Sequence, residues 1–242
     1  GVPLHVIQRG NNRALCFLAD GDRQMYLKFL GEAAARHRCA VHAYVLMPNH
    51  VHLLLTPTDP GAVAAMMQDL GRRYVRLFND LHRRSGTLWE GRYKAAMVDT
   101  ERYFLTCQRY IELNPVRAQL VDHPASFRWS TYRHYALGAN NSLVSAHELV
   151  MRLATGETAR REVYRALFDE PLGAEELDKI RSCTNKGWAI GSEEFVRWAE
   201  TALGRPAKAP PRGRPKKPVP QLDATSEMLI RPHFPVCPEK WL

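Results

Sequence analysis

The sequence is short of cysteine pairs: its five cysteines stand singly, and no two are spaced as a CxxC pair. They are Cys16, Cys39, Cys107, Cys183 and Cys237. Scattered thiols are typical of a reducing compartment, so we expect neither a structural disulfide nor a zinc finger. The sequence also lacks an apolar run long enough to span a bilayer and an N-terminal signal-peptide pattern. We therefore expect a cytoplasmic protein with no membrane partner.

Acidic residues are fewer than basic ones, 25 against 34, and the formal net charge is +9. Such an excess attracts polyanions, because each neutralised phosphate releases condensed counterions. Nucleic acid is therefore the first partner to consider, with a merely basic surface as the alternative. Residues 205–218 contain five prolines and six lysines or arginines without one acid. That composition cannot build a core and predicts a disordered basic tail over residues 205–242.

Hydrophobic periodicity predicts the order β-α-β-β-α-β-α over the first half of the chain. Strands are expected at residues 2–9, 40–46, 51–56 and 93–98, the first of them incomplete if residues before Gly1 have been lost. Helices are expected at 22–37, at 60–84 and from Thr100 to near Pro115. This order predicts an α+β, ferredoxin-like domain over residues 1–138, with crossover helices on one face of an antiparallel or mixed sheet. Short helical patterns at 146–155, 158–168, 174–182 and 193–203 predict a small helical region over 139–204, which is a candidate for DNA binding.

Two histidines stand two residues apart in a predicted strand, His50 and His52. Alternate strand residues share a face, so both imidazoles can bind one divalent ion. Two histidines on an ordinary sheet surface have the same spacing, and a metal site needs a third ligand. His42, on the preceding strand, could supply it or could be a half-buried packing residue.

The helix predicted from Thr100 carries Tyr110 and Asn114 on one side, because residues four apart are neighbours on a helix. A phenol and an amide would then face the same direction. Alternatively, Tyr110 is a core aromatic with its hydroxyl at the surface, and Asn114 only ends the helix before Pro115.

Four ordered segments contain these residues: 5–13 (HVIQRGNNR), 47–52 (MPNHVH), 88–93 (LWEGRY) and 110–117 (YIELNPVR). In content and order they resemble the single-tyrosine HUH transposases, named for two histidines around a hydrophobic residue, and especially the REP-associated tyrosine transposases. The resemblance spans roughly residues 4–138. It implies that residues 1–138 form an HUH catalytic domain.

The resemblance also implies roles for the site residues: His50 and His52 bind Mg²⁺ or Mn²⁺, Asn114 is the third protein ligand, and Tyr110 is the nucleophile. An amide lacks the charge of a carboxylate, so this site would hold a hard divalent ion weakly. The implied enzyme is a metal-dependent tyrosine transposase that nicks and rejoins DNA. It would cleave a single strand at palindromic REP-type hairpins through a 5′-phosphotyrosine and transfer that strand. Its partner would be hairpin DNA with a single-stranded flank, bound by a nucleoid-associated monomer or homodimer.

Basic and amide residues near these motifs are candidates for DNA binding. Amides can read base edges and guanidiniums can bind phosphates, although an ordinary solvated turn has the same composition. Trp89 could be a stacking platform or a core anchor. The candidates in this part of the chain are Arg9, Asn11, Asn12, Arg13, Arg72, Arg73, Arg76, Arg92, Lys94 and Arg117.

The basic tail contains a further candidate at residues 211–217 (PRGRPKK), which resemble an AT-hook. In such a motif an extended Arg-Gly-Arg-Pro core lies in a narrow minor groove. Arg212, Arg214, Lys216 and Lys217 would then contact DNA, with a plain basic linker as the alternative. Residues 184–191 could join two helices of a DNA-reading module.

Two rival functions stay open on the sequence. One is a domesticated protein that binds hairpin DNA without cleaving it. The other is a metal-dependent phosphohydrolase that uses His50 and His52 without a covalent step, which leaves Tyr110 without a role.

Overall fold

A four-stranded antiparallel sheet forms the centre of the computed structural model, which describes residues 1–209. The strands are β1 (Leu4–Arg9), β2 (Cys39–Met47), β3 (His50–Pro57) and β4 (Lys94–Met97), and their order in the sheet is β2-β3-β1-β4. The helices of the described residues are α1 (Asp20–Arg36), α2 (Ala62–Leu81), α3 (Thr100–Glu112), α4 (Asn114–Arg117), α5 (Tyr132–Leu137), α6 (Glu148–Met151), α7 (Glu157–Ala166), α8 (Ala174–Lys186) and α9 (Glu193–Leu203).

This arrangement confirms the predicted α+β class and the predicted order β-α-β-β-α-β-α. Strands β2 and β3 form the expected hairpin, and Pro48 and Asn49 connect them. β1 lies between β3 and β4 and is antiparallel to both. β1 therefore holds β3 and β4, which are far apart in the sequence, on its two sides.

Alternate strand residues divide the sheet into two buried faces. One face packs against α1 and α2, whose apolar stripe includes Met66, Leu70, Tyr74 and Phe78. The opposite face carries residues such as Ala43, Val45 and Leu54 and packs against α3 and the helices that follow it. Apolar burial on both faces fixes the register, since a one-residue slip would exchange the faces.

The predicted helices beyond residue 138 are present, and α8 packs against β1 and β4. The segment after α8 continues this contact, because Ile190 donates its backbone N–H to Met97 O at 2.7 Å. Residues 1–209 form one compact unit, within which the boundary near residue 138 stays a prediction. The greater part of the tail, including the AT-hook-like residues, lies outside the described residues.

The helix that was expected to carry both Tyr110 and Asn114 is interrupted between them. α3 ends at Glu112, Leu113 is its C-cap, and α4 begins at Asn114. Pro115 lies in the first turn of α4, where its missing N–H has no helical partner to lose. The prediction of one continuous helix was therefore wrong at this point, although Tyr110 and Asn114 still face a common cavity.

Within residues 1–209, no helix combines the length and apolar character that crossing a membrane requires. The four cysteines of this part of the chain are buried free thiols: Cys16, Cys39, Cys107 and Cys183.

Candidate active site

The two histidines of the HxH segment lie on the sheet face that is turned away from α1 and α2. In the register of β1 with β3, His50 is opposite Arg9 and His52 is opposite Ile7. Directly paired residues point to the same side, so these side chains form one patch. The ring centroids of His50 and His52 are 5.1 Å apart. The expectation that both imidazoles share a face is therefore met by the strand geometry.

A cavity of about 300 Å³ lies over this patch and brings the predicted site residues together. Helices α3 and α4 contribute Tyr110, Asn114 and Arg117, and α8 closes the far side. The full lining is Ile7, Arg9, His50, His52, Tyr110, Asn114, Arg117, Ala118, Arg181 and Asn185. A phenol, two imidazoles, two amides and three guanidinium groups thus surround one small space.

Tyr110 is held at this cavity by its neighbours. Its ring meets the ring of His52 edge to face, with centroids 5.7 Å apart. The Arg117 guanidinium lies 4.1 Å from the centroid of the Tyr110 ring, and its Nη2 donates to Tyr110 O at 2.7 Å. Arg117 Nη1 is buried and has no hydrogen-bond partner in the structure. A buried guanidinium N–H without a partner is costly, which marks it as a donor for an anion that enters the cavity.

Burial keeps the imidazoles of the site neutral. It lowers the pKa of His50 to about 4, with a smaller effect from the nearby Arg9 charge. Burial also moves the pKa of His52 well below its ordinary value, and the His5 and His50 rings beside it act in the same direction. Neutral imidazoles have a free nitrogen lone pair near neutral pH, which metal ligation requires.

A neighbouring amide fixes which nitrogen of His50 is free. Asn49 Nδ2 donates to Arg13 O at 3.2 Å, so Asn49 Oδ1 is the atom that faces His50 Nδ1 at 2.7 Å. An amide oxygen only accepts, so His50 Nδ1 carries the proton and Nε2 has the lone pair. The hydrogen bond from His50 Nδ1 to Asn49 Oδ1 is of the kind that orients metal-binding histidines.

The donor set of the cavity fits a weakly held divalent ion. Asn114 is buried beside His50, and its amide oxygen can accept from the ring only when His50 is protonated, which opposes the lowering of the His50 pKa. The Asn114 amide Nδ2 has no partner. Across residues 1–209 no group of three or more His, Cys, Asp or Glu side chains could hold a metal ion. Two neutral imidazoles and an amide would thus be the protein ligands, without a carboxylate charge.

Several predicted DNA-binding residues lie along a path that leads from the cavity. Ile7, Arg9 and Asn185 also line an adjoining depression with Arg92 and Lys94. That depression opens into a groove of about 1080 Å³ between α2, β4 and the end of α8, whose basic lining is Arg92, Lys94, Lys186 and Arg205. Apart from Glu90, which also lines the depression, the charged side chains of this path are basic, and such a path suits a phosphate backbone.

Other predicted residues lie elsewhere. Asn11, Asn12 and Arg13 form a short 3-10 turn after β1, in which Asn12 and Arg13 have φ values of 51° and 58°. Arg72, Arg73 and Arg76 belong to α2, on the opposite side of the sheet, and none of them lines the cavity. Arg73 pairs with Glu32 and stacks on Phe29. Arg212, Arg214, Lys216 and Lys217 fall outside the described residues.

His42 and Trp89, whose roles the sequence left open, both lie away from the cavity. His42 contacts Ser145 O at 2.7 Å and Thr56 Oγ1 at 2.8 Å through its two ring nitrogens, away from the cavity. Trp89 is buried against Tyr26 and Tyr74 in the core beneath α1 and α2. His42 is therefore a packing residue and Trp89 a core anchor.

Sequence reasoning gave no active-site role to four residues at or beside the cavity: His5, Arg181, Thr184 and Asn185. The strand pattern of β1 indicated His5, because residues two apart in a strand share a face and His5 therefore lies on the same face as Ile7 and Arg9. Nothing local gave a signal for the three residues of α8. They reach the site only because α8 packs against β1 and β4.

Comparison with known proteins shows similarity over part of the chain. Residues 1–114 match the family described as "Transposase IS200 like". A solved structure of a REP-associated tyrosine transposase bound to a REP hairpin is 16% identical and covers 61% of this chain and 86% of its own, with a TM-score of 0.45. A putative transposase from Deinococcus radiodurans R1 is 29% identical and covers 46% of this chain and 88% of its own, with a TM-score of 0.35. No curated protein gave a significant match. The resemblance to transposases is thereby confirmed for residues 1–114, which contain His50, His52, Tyr110 and Asn114 and match the IS200-like transposase family.

Proposed function

We propose that this protein is a single-strand DNA endonuclease and strand transferase, with Tyr110 as its nucleophile, acting at REP-type hairpins. The observation that carries the proposal is the common cavity of Tyr110, His50, His52, Asn114 and Arg117. A tyrosine beside two imidazoles, an amide and a guanidinium with one unpartnered nitrogen has the parts that phosphoryl transfer to a protein hydroxyl requires. The IS200-like match of residues 1–114 supports the same reaction class.

In the proposed cleavage, Tyr110 Oη attacks the scissile phosphorus and the bond from phosphorus to the 3′ oxygen breaks. The phenol loses its proton, the departing 3′ oxygen gains one, and the 5′ phosphate stays on Tyr110. Arg117 Nη1 and Asn114 Nδ2, both buried and unpartnered, are available to donate to phosphate oxygens as charge develops there. Attack by a 3′ hydroxyl on the phosphotyrosine reverses the step and joins strands.

His50, His52 and Asn114 are the residues that would hold the Mg²⁺ or Mn²⁺ of this family. A bound divalent ion would polarise the scissile phosphate and offset its negative charge. The neutral donor set suggests that the DNA phosphate completes the ligand shell, because hard divalent ions prefer charged oxygen ligands. Metal affinity should therefore be higher with DNA present than without it.

The single-stranded flank of the hairpin is proposed to follow the basic path from the cavity past Arg9, Arg92 and Lys94. These side chains lie on or beside the sheet face that holds His50 and His52, and each lines the cavity or the depression that adjoins it. Guanidinium and ammonium groups along such a groove bind phosphates without reading sequence. Specificity for a hairpin would then come from contacts beyond this path.

The proposal is tested by incubating the full chain with end-labelled hairpin DNA that carries single-stranded flanks, with Mn²⁺, and separating the products on a denaturing gel. Wild type should give a protein-linked DNA band, and Tyr110→Phe should give none while binding the hairpin almost equally. Tyr103→Phe is the matched control, since Tyr103 OH is on the same helix but is bonded by Lys179 Nζ at 2.8 Å. An adduct that persists in Tyr110→Phe would show that another residue is the nucleophile.

A protein that binds hairpins without cleaving them is the second candidate, and the neutral ligand set favours it because metal binding would be weak. The same gel separates the two functions. Hairpin binding without any adduct, at every Mn²⁺ concentration tested, would support the binding protein.

A further inference from the structure

Three buried side chains from distant parts of the chain form a hydrogen-bonded row behind the candidate metal site. Thr184 Oγ1 of α8 lies 2.8 Å from His5 Nδ1 of β1, and His5 Nε2 lies 2.8 Å from His52 Nδ1 of β3. His5 is fully buried, and Thr184 and His52 are nearly so. Because these side chains are buried away from water, each hydrogen bond in the row has one donor and one acceptor within the row.

Thr184 determines which atom donates and which accepts in each hydrogen bond of the row. Thr184 Oγ1 donates to Ile180 O, one helical turn earlier, at 2.8 Å. A hydroxyl has a single proton, so towards His5 the same oxygen can only accept. His5 Nδ1 is then the protonated nitrogen of a neutral ring, His5 Nε2 accepts, and His52 Nδ1 donates to it. The remaining nitrogen of His52, Nε2, has the lone pair.

We infer that Thr184 and His5 are positioning residues that fix the tautomer of His52, so that it presents an unprotonated Nε2 to a divalent ion. This inference rests on the proposed function, in which His52 is a metal ligand. It gives His52 the same arrangement as His50, whose Nδ1 donates to Asn49 Oδ1. Both imidazoles then have their protons on the nitrogen held by the protein.

The reverse direction is the alternative that the inference excludes. If Thr184 donated to His5 Nδ1, His5 Nε2 would donate to His52 Nδ1, and the proton of His52 would lie on Nε2. A protonated nitrogen cannot ligate a metal. The choice between Ile180 O and His5 Nδ1 as the acceptor of one hydroxyl proton thus decides whether His52 can bind an ion.

The inference gives α8 a role in the site, although it lies beyond the 114 residues that match the transposase family. Ile180 and Cys183 anchor the helix in the core, and Thr184 follows them on the buried side. Neighbouring turns of the same helix place Arg181 and Asn185 on the cavity lining. Loss of α8 packing would therefore disturb the ligand histidines as well as the cavity wall.

The first test is the proton position in His52, read from long-range ¹H–¹⁵N correlation spectra of the metal-free full chain, with His52→Gln used to assign the signals. Wild type should show the proton on Nδ1. Thr184→Val, which keeps the shape of the side chain but removes the hydroxyl, should shift the proton wholly or partly to Nε2. Thr184→Ser should restore the wild-type spectrum. A wild-type His52 with its proton on Nε2 would overturn the inference at once, whether or not Thr184→Val folds.

The second test is Mn²⁺ affinity, measured by titration calorimetry on the same proteins. Loss of an outer hydrogen-bond partner typically weakens metal binding about 10- to 100-fold, so Thr184→Val should show a loss in that range and Thr184→Ser should recover it. Thr201→Val is a matched control, because Thr201 makes the same bond to the carbonyl one turn earlier, on α9, with no histidine attached. Equal Mn²⁺ affinity in wild type and Thr184→Val would contradict the role of Thr184.

The two tests separate this inference from the proposed function. A spectrum with the expected tautomer, responsive to Thr184, supports the hydrogen-bonded row even if wild type gives no DNA adduct. That combination would contradict the proposed cleavage instead.

Discussion

Two buried polar clusters belong to the same helix, α3, and they use their hydrogen-bonding groups differently. Around Glu112 the cluster is closed at the carboxyl group: Oε1 accepts from Thr131 Oγ1 and Oε2 accepts from Tyr164 OH, each at 2.7 Å, while the neighbouring Gln108 Oε1 has no partner. Around Tyr110 the cluster is open, because Arg117 Nη1 and Asn114 Nδ2 have no partner. A closed cluster ties α3 to α7 and to the start of α5, whereas an open one retains donors for a ligand.

The comparison teaches that burial alone does not distinguish a functional polar group from a structural one. The carboxyl group of Glu112 has an unusual pKa: burial raises it to about 7, although the hydrogen bonds that Glu112 accepts act in the opposite direction. A shifted pKa of this kind often marks an active site. Here the satisfied partners of Glu112 assign it to the scaffold, and the unsatisfied donors beside Tyr110 indicate the site.

The largest effect expected from breaking the open cluster is on cleavage. His50→Ala should lower metal-stimulated cleavage by at least about 10²-fold, because one of few ligands is lost. The unfolding free energy should change by less than about 1 kcal/mol, since His50 is only half-buried. Initial cleavage rates and thermal denaturation check both parts, with wild type in EDTA as the reference. A variant that keeps half of the wild-type rate would contradict the role of His50.

A smaller effect is expected from adding a charge to the open cluster. Asn114→Asp supplies the carboxylate that the site lacks, so Mn²⁺ should bind roughly tenfold more tightly than to wild type. Asn114→Ala, the matched control, should bind it more weakly than wild type does. Titration calorimetry of the three proteins without DNA gives the comparison. Equal affinities would mean that residue 114 does not reach the ion.

The closed cluster should give a pH dependence of stability and no change in chemistry. Because the folded pKa of Glu112 is about 7 and its ordinary value is 4.5, the unfolded chain loses this proton first as pH rises. The Glu112 contribution to the unfolding free energy is therefore fully present below pH 4.5 and is lost as pH rises towards 7. In Glu112→Gln, which stays neutral, the melting temperature should fall less between pH 5 and 7.5 than in wild type.

Glu162→Gln, an exposed residue of α7, controls for the change in net charge. It should follow the wild-type pH profile. If Glu112→Gln also follows it, the carboxyl of Glu112 is not kept neutral in the folded protein.

The smallest expected effect concerns the basic tail, which should influence neither cluster. Truncation after Ala209 removes Arg212, Arg214, Lys216 and Lys217. If these contact phosphates, the dependence of DNA affinity on salt should become shallower, while adduct formation at saturating DNA stays unchanged. An AT-hook further predicts that only the intact chain prefers A·T-rich flanking duplex. Equal affinity of the intact chain for A·T-rich and G·C-rich flanks would make the tail a plain linker.

Local patterns in the sequence predicted the order of strands and helices, because hydrophobic periodicity is a local property. They also predicted the common face of His50 and His52, since residues two apart in a strand point to the same side. The contact of Thr184 with His5 joins residues 179 positions apart and could not be predicted, because it depends on how α8 packs. The same applies to the Glu112 cluster, which depends on α7.

Burial of His52 decides which histidine can be used to probe the metal site. The His52 side chain is only 3% exposed and bonds to His5. His52→Ala would leave His5 Nε2 unpartnered in the core, at a cost of about 1–3 kcal/mol. His50→Ala is therefore the cleaner probe of the metal site.

The central claim is that Tyr110 is the residue that becomes joined to DNA, and peptide mapping of the covalent adduct tests it most directly. Wild-type protein is incubated with labelled hairpin DNA and Mn²⁺, digested with protease and nuclease, and analysed by mass spectrometry. The account predicts a nucleotide-modified peptide with the added mass on Tyr110. A modified peptide with the mass on any other residue, or cleaved DNA with no linked peptide, would contradict it.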